Sequence, residues 1–304
     1  MKYLIIGTGG TGGPVGAFLA RAGKDVTFIA RGEHLKAMKE HGLKILHPDG
    51  AFTIDPVKTC TMEEYDGRPD VVIVCVKGYS MNDVMPFLQR ITKDCTPVII
   101  PILNIYGTGG MMQAKLPGVP VTDGCIYVAA QIDSPGVIKM NGKILRVVFG
   151  PRSREEYLPV FKEIEEELIE SGITGILSDN IQRDALVKFS YVSPQGACGT
   201  YYGVPAGPIQ QEGEYQDCFV KLVKEVEAIG HAMGITFKED LAERNLKILK
   251  GLVPTATTSM QRDIMAGRPS EVDGLVFEVV RLGEKLGIPV PEYTKIAEKL
   301  KGTK

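Results

Sequence analysis

Directly after the apolar run at residues 3–6 the chain reads Gly7-Thr8-Gly9-Gly10-Thr11-Gly12, with Gly16 and Ala20 at further four-residue steps. This is the spacing of a strand that turns into a helix while leaving room for a pyrophosphate. Gly7 permits the tight turn, Gly9 lets the backbone approach the phosphates, and Gly12 allows close packing of helix on strand. The helix N-terminus offers the anion free N–H groups and a positive dipole. A dinucleotide site is therefore expected along Gly7, Thr8, Gly9, Gly10, Thr11 and Gly12. The end of the next strand selects the dinucleotide, because an acid about 20 residues past the glycines binds the ribose 2′-OH of NAD. Here that run ends Ile29-Ala30-Arg31, with Glu33 the nearest acid. No carboxylate stands at the strand end to repel a 2′-phosphate, and a guanidinium can pair with one bidentately, so Arg31 points to NADP.

Ligands of open α/β sheets lie beyond the carboxyl ends of the strands. Lys77 follows the run at residues 71–76, and Asn104 follows the run at 98–103. Each reads either as a ligand-facing residue or as an ordinary loop residue, Lys77 a solvated charge and Asn104 a turn residue ahead of Gly107. Lys188 sits in Ala185-Leu186-Val187-Lys188-Phe189, where apolar neighbours would hold it at an interface. Asp184, four residues earlier, offers it a helical ion pair of only about 0.2–0.5 kcal/mol. Glu271 fits a first-turn acid stabilised by its helix dipole. Residue types and positions alone favour these structural readings of Lys188 and Glu271 over catalytic ones.

The elements that would carry these groups fall into two blocks. Up to about Ser178, short β-rich runs alternate with helical stretches, the pattern of a parallel, doubly wound α/β sheet. The runs are residues 3–6, 26–29, 71–76, 98–102, 119–128 and 144–149. Residues 43–47 and 51–54 flank Pro48-Asp49-Gly50 as an edge hairpin, and Asn141-Gly142 reads as the turn of a second. A helix at 155–171 and a short strand at 173–177 close the block. Beyond Asn180 apolar residues recur at helical spacing through 185–191, 219–233, 241–252 and 272–286. In the last of these Val272, Leu275, Val276, Val279 and Leu286 share a face, Gly287 supplies the stop, and Pro289 and Pro291 prevent continuation. The expected domains are a cofactor-binding sheet at 1–178 and an all-helical domain at 179–304, sharing a rigid interface with a cleft.

Composition narrows the partner. The 304 residues carry 35 basic and 37 acidic side chains, a net charge of −2, with 44% hydrophobic and 24% charged residues. That balance excludes disordered and fibrous classes and provides no electrostatic footprint for nucleic acid or a membrane surface. No apolar run approaches the roughly 18 residues of a membrane span, and the N-terminal apolar stretch is too short for a signal sequence. A cytoplasmic protein with a small-molecule partner is expected, its oligomeric state open between monomer and homodimer. The six cysteines form no CxxC and do not pair with the four histidines at metal-ligand spacing, so free thiols and no metal are expected.

Over nearly its whole length the chain resembles the ketopantoate reductase (2-dehydropantoate 2-reductase) family. The resemblance rests on Gly7 to Gly12, on Arg31 with His34 and Gly42, on Val76-Lys77, and on Asn104-Ile105-Tyr106-Gly107. It continues in Lys188 and in Thr258-Ser259-Met260-Gln261-Arg262-Asp263, which leads through Gly267-Arg268-Pro269 to Glu271-Val272-Asp273-Gly274, and in Gly287-Ile288-Pro289-Val290-Pro291. It implies a Rossmann-type domain plus a helical domain, and NADPH-dependent reduction of ketopantoate to pantoate. It also implies that Lys188 is the general acid and that Glu271 binds the substrate hydroxyl and orients Lys188. Ser259 would hold the substrate carboxylate, while Asn104 and Lys77 would lie around the nicotinamide, ribose and substrate carbonyl. The departures fall where substrate is read. Val192 and Gly196 stand where family members often carry asparagines, with Ser193 and Gln195 alongside, and Ser193 is the remaining substrate-facing candidate. Ile105 replaces a usual glycine, and Tyr293 a frequent asparagine. A pocket discriminates by hydroxyl only when its polar groups are present, so a reductase of another 2-keto acid is the alternative. A catalytically silent NADP-binding redox sensor is the reading from a different class.

Overall fold

The computed structural model describes residues 1–302 and divides into two units: Met1–Leu103 with Gly107–Ile181, and Asn104–Tyr106 with the chain from Gln182 onward. The first unit contains strands β1 (Lys2–Ile6), β2 (Asp25–Ile29), β3 (Leu43–Leu46), β4 (Phe52–Ile54), β5 (Lys58–Cys60), β6 (Val71–Val74), β7 (Val98–Pro101), β8 (Asp123–Ser134), β9 (Val137–Gly150) and β10 (Thr174–Leu177). Its helices are α1 (Gly12–Arg21), α2 (Gly32–His41), α3 (Met81–Ile91), α4 (Thr108–Gln113) and α5 (Val160–Glu170).

An all-parallel sheet in the order β5-β2-β1-β6-β7 lies at the heart of this unit. Central parallel strands are buried on both faces and so read as continuous apolar runs. On β1 and β6 the side chains alternate between two cores: Tyr3, Ile5, Val71 and Ile73 enter one, and Leu4, Ile6, Val72 and Val74 the other. The order places β1 in the middle, so the glycine turn that follows it emerges at the carboxyl edge beside β2 and β6.

The runs expected at 119–128 and 144–149 do not extend that sheet. They belong to long strands β8 and β9 of a second, mixed sheet, in which β10, β9, β3 and β4 follow one another and β8 pairs antiparallel with β9. The β8–β9 turn is at Pro135-Gly136, where Gly136 has φ +75°, and the Asn141-Gly142 turn read from the sequence lies within β9. There Val128 pairs with Leu145 but Ala130 with Met140. The Asn-Gly pair thus occupies a bulge that the ladder passes, a role open to the same residue types.

The second unit is built from α6 (Ile181–Tyr202), α7 (Ala206–Ile209), α8 (Glu214–Ala232), α9 (Leu241–Lys250), α10 (Ser259–Met265), α11 (Glu278–Leu286) and α12 (Pro291–Leu300). Phe219, Leu222, Val223, Val226 and Ile229 of α8 pack with Val272, Leu275, Val276 and Val279 in its core. The single helix read over 272–286 is α11 preceded by a π-helical turn, Asp273–Phe277. Gly287, at φ +68°, ends it as expected, and Pro291 starts α12. All six cysteines are free thiols. Among the described residues no helix is long and apolar enough to cross a membrane, and no cluster of His, Cys, Asp and Glu could hold a metal.

Candidate active site

The three glycines of the N-terminal motif occupy three different environments. Gly7 has φ +96°, a conformation that a side chain would strain. A Cβ on Gly12 would lie 2.4 Å from the Gly7 carbonyl oxygen and 2.9 Å from Cys75 Cβ and Ile5 Cγ2, so α1 packs on β1 at a distance only glycine allows. A Cβ on Gly9 would meet nothing within 4 Å, so the turn is open at the position where a pyrophosphate must approach. No side chain caps the N-terminus of α1 and no acid occupies its first turn, which leaves that end suited to an anion. The remaining motif residues hold the turn in place. Thr8 is buried and its hydroxyl donates to the Ile29 carbonyl at 3.0 Å, while a Cβ on Gly10 would strike Ala130 O of β8 at 2.4 Å. Thr11 is the N-cap residue of α1.

Arg31 stands exposed at the N-cap of α2 in an extended conformation, with no ion pair among the described residues and Glu33 in the turn that follows. His34, on the same turn, accepts the Gly136 N–H through Nδ1 at 3.0 Å, and its burial lowers its pKa. The ring is thereby kept neutral with its proton on Nε2, and it ties α2 to the β8–β9 turn. Lys77 follows β6, half-buried, and its carbonyl accepts from Ser80 N at 2.9 Å in a short 3₁₀ turn.

Asn104 and Lys188 meet within the second unit. Lys188 is 7% exposed, and its ammonium donates to Asn104 Oδ1 at 2.6 Å. A buried ammonium needs such an acceptor, because desolvation otherwise disfavours its charge. Asn104 is held by the two residues after it. The Tyr106 ring packs on Phe189 with centroids 6.1 Å apart, and Ile105 fills the space over Gly274, where a Cβ would lie 2.4 Å from Ile105 Cδ1. The departure from a glycine at position 105 is thus matched by the glycine at 274.

Glu271 is 3% exposed and stands two residues before the π-helical segment, and its carbonyl accepts the N–H of Leu275 within that segment at 2.9 Å. Local insertions of this kind re-aim the residues beside them and recur at functional sites. Ser259, half-buried, is the first residue of α10, whose start is fixed by a capping box of Thr258 and Gln261. Asp263 and Arg268 pair at 2.9 Å and staple the loop from α10 towards Glu271. These two charges of the Thr258 to Gly274 segment therefore have structural work of their own.

Ser193, a substrate-facing candidate from the sequence, lies in the interior of the second unit. It is fully buried, and its Oγ lies 2.5 Å from both the Leu275 carbonyl and the Tyr293 hydroxyl. Sequence reasoning missed this bond, as it missed the buried Asn245, which donates to Ser190 O at 2.9 Å. The capping box was legible as Thr-x-x-Gln, whereas the Ser193 and Asn245 pairings join residues 82 and 55 positions from their partners and leave no local signal.

On the face of α6 one and two turns beyond Lys188 stand Val192, half-buried, and Gly196, where a Cβ would lie 3.0 Å from Met260 Cε. Thr258 Oγ1 lies 3.8 Å from the same point, and neither Val192 nor Gly196 carries a polar side chain.

Comparison with known proteins bears on this arrangement. Residues 3–154 match the family described as ketopantoate reductase PanE/ApbA, and residues 180–304 match its C-terminal counterpart. A 2-dehydropantoate 2-reductase of Mesorhizobium japonicum is 28% identical, over 96% of this chain and 94% of its own. Among solved structures, 2-dehydropantoate 2-reductase from Geobacter metallireducens superposes with a TM-score of 0.90 at 22% identity, over the whole of both chains. D-mandelate dehydrogenase, solved with NADH and anilino(oxo)acetate, superposes at 0.89 with 20% identity, over 100% of this chain and 98% of its own. At these identities both superpositions speak for a shared fold.

Proposed function

The chain belongs to the ketopantoate reductase family of oxidoreductases, and on that premise we propose that it reduces 2-dehydropantoate to pantoate with NADPH. The observation that carries this reading is the buried Lys188 ammonium, held at 2.6 Å by Asn104. A reduced nicotinamide, when bound, supplies the hydride that adds to the keto carbon. The open backbone at Gly9 and the uncapped start of α1 would receive the pyrophosphate, Thr8, Gly10 and Thr11 would shape that turn, and Arg31 would bind the 2′-phosphate. Lys77 and Asn104 would line the nicotinamide end.

In this reading Lys188 acts as an ammonium. It polarises the carbonyl oxygen and then gives that oxygen its proton, so hydride and proton together convert the ketone to a hydroxyl. Asn104 helps aim the ammonium by accepting one of its three N–H bonds. Glu271 would bind the substrate hydroxyl and help orient Lys188, and Ser259 would take the carboxylate.

One observation favours a second reading. Val192 and Gly196 bring no polar side chain of their own to a substrate hydroxyl, which suits a 2-oxo acid with an apolar branch. NADPH oxidation with ketopantoate, pyruvate, 2-oxoisovalerate and a mixture of 2-keto acid and amine separates the readings. Preference for ketopantoate by orders of magnitude in kcat/KM supports the first, and rapid turnover of another acid with little ketopantoate activity supports the second. Absence of turnover with every acid defeats both and leaves a silent NADP-binding protein. NADPH and NADH compared in the same assay test Arg31, because equal efficiency with the two would remove the 2′-phosphate from the account.

A further inference from the structure

We propose that Ser193, aided by Tyr293, is a positioning residue that sets the register between the helix carrying Lys188 and the turn carrying Glu271. The inference rests on reading those two residues as the catalytic pair. A carbonyl oxygen can only accept, so the Ser193 hydroxyl donates its single proton to Leu275 O at 2.5 Å. The second contact, also at 2.5 Å, must then be donated by the Tyr293 hydroxyl to Ser193 Oγ. Leu275 lies in the π-helical segment, and its N–H donates to the Glu271 carbonyl at 2.9 Å. One peptide residue is thus gripped at both ends, by Glu271 through its N–H and by α6 through its C=O. Ser193 is five residues beyond Lys188 on the same helix, about 7.5 Å along the axis. The path Lys188, α6, Ser193, Leu275, Glu271 closes without passing through solvent, since Ser193 and Tyr293 are fully buried and Leu275 is 1% exposed.

Tyr293 is fixed in turn. The Glu225 carboxylate accepts from the backbone N–H of Glu292 at 2.8 Å and of Tyr293 at 3.0 Å, anchoring the start of α12. The tyrosine ring is enclosed in the apolar core of the unit, so its hydroxyl can reach Ser193 and little else. These bonds tie the π-helical segment and the start of α12 to α6 and α8. Tyr293, which stands where the family often has asparagine, meets Ser193 directly.

The test compares Ser193→Ala and Tyr293→Phe with the wild type by steady-state kinetics and by hydrogen exchange of the segment at 271–277. Ser193→Ala removes the bond from α6 to the Leu275 carbonyl. It is expected to lower kcat by about tenfold or more with KM for NADPH within about twofold, as a small misplacement of a reacting group does. Exchange at 271–277 is expected to speed up by about tenfold while α8 exchanges as before. Tyr293→Phe keeps the serine-to-Leu275 bond and is expected to keep kcat within about threefold of the wild type. Should Ser193→Ala prove insoluble, Ser193→Cys, of similar volume but a weak donor, is expected to change both readouts in the same direction. Wild-type kcat and wild-type exchange in the serine variant overturn the proposal, as does exchange that quickens equally throughout the unit. If the wild type turns over no 2-oxo acid, the reading of function has failed, and exchange at 271–277 alone then decides the tie: unchanged protection sinks it.

Discussion

Gly274→Ala exposes how the site depends on packing several residues away. The new Cβ would sit 2.4 Å from Ile105 Cδ1, 2.5 Å from Cγ1 and 3.2 Å from Cγ2. Carbon atoms rest about 3.5–4.0 Å apart, so Ile105 must retreat by roughly 1 Å, and a β-branched side chain has few rotamers in which to do so. Overpacking of this kind costs about 1–3 kcal/mol, or about 2–12 °C in melting temperature. The larger effect is on rate. Asn104 is bonded to Ile105, so the displacement pulls Asn104 Oδ1 away from the Lys188 ammonium that it accepts from at 2.6 Å. A hydrogen bond to a charged group contributes about 1.5–3 kcal/mol, which corresponds to about 10–150-fold in kcat if the bond is lost in the transition state. The assay is a double-mutant cycle of Gly274→Ala with Ile105→Ala, reading kcat and thermal unfolding. Removing the isoleucine branch makes room for the new methyl, so the double variant is expected to recover most of the rate lost by Gly274→Ala. Strict additivity of the two substitutions, or a Gly274→Ala enzyme with wild-type kcat, would show that Ile105 does not transmit packing to Asn104.

Three further outcomes are expected. Lys188→Ala should lower kcat by at least about 100-fold while NADPH titrated by fluorescence still binds with wild-type affinity, as befits loss of a general acid. Gly9→Ala should leave thermal stability unchanged, since its Cβ meets no protein atom, yet weaken NADPH binding; Gly12→Ala should depress the melting temperature of the cofactor-free protein, since its Cβ meets Gly7 O at 2.4 Å. Burial lowers the pKa of His34, so the unfolded chain binds this proton more readily than the folded one. The stability that this imidazole contributes is therefore present above the ordinary histidine range and is lost as pH falls below about 6.5 towards the folded pKa. His34→Gln, which can still accept from Gly136 N–H without titrating, should show a smaller fall in melting temperature between about pH 7.5 and 5.5; an identical fall in both proteins would dissociate His34 from the acid transition.

Local rules carried the reading of the first unit far. The glycine spacing after β1, the bare strand end at Arg31 and the apolar runs of β1, β2, β6 and β7 depend on contacts within a few tens of residues. Backbone sterics and the two-residue period express those contacts directly in the sequence. The helical periodicity likewise foretold the character of the second unit and the stop at Gly287. Tertiary structure decided what those rules leave degenerate. Asn-Gly at 141–142 serves a bulge as readily as a turn, and only the pairing of β8 with β9 chose between them. Apolar residues at 272–286 fit an uninterrupted helix, and only the structure shows a π-helical segment there, containing Leu275, whose carbonyl accepts from Ser193. Ser193 itself shows the limit most clearly: a serine near a lysine is equally a substrate contact or a buried tie, because a hydroxyl bonds whatever the fold brings to it. The hydroxyl it meets, that of Tyr293, lies 100 residues away in sequence.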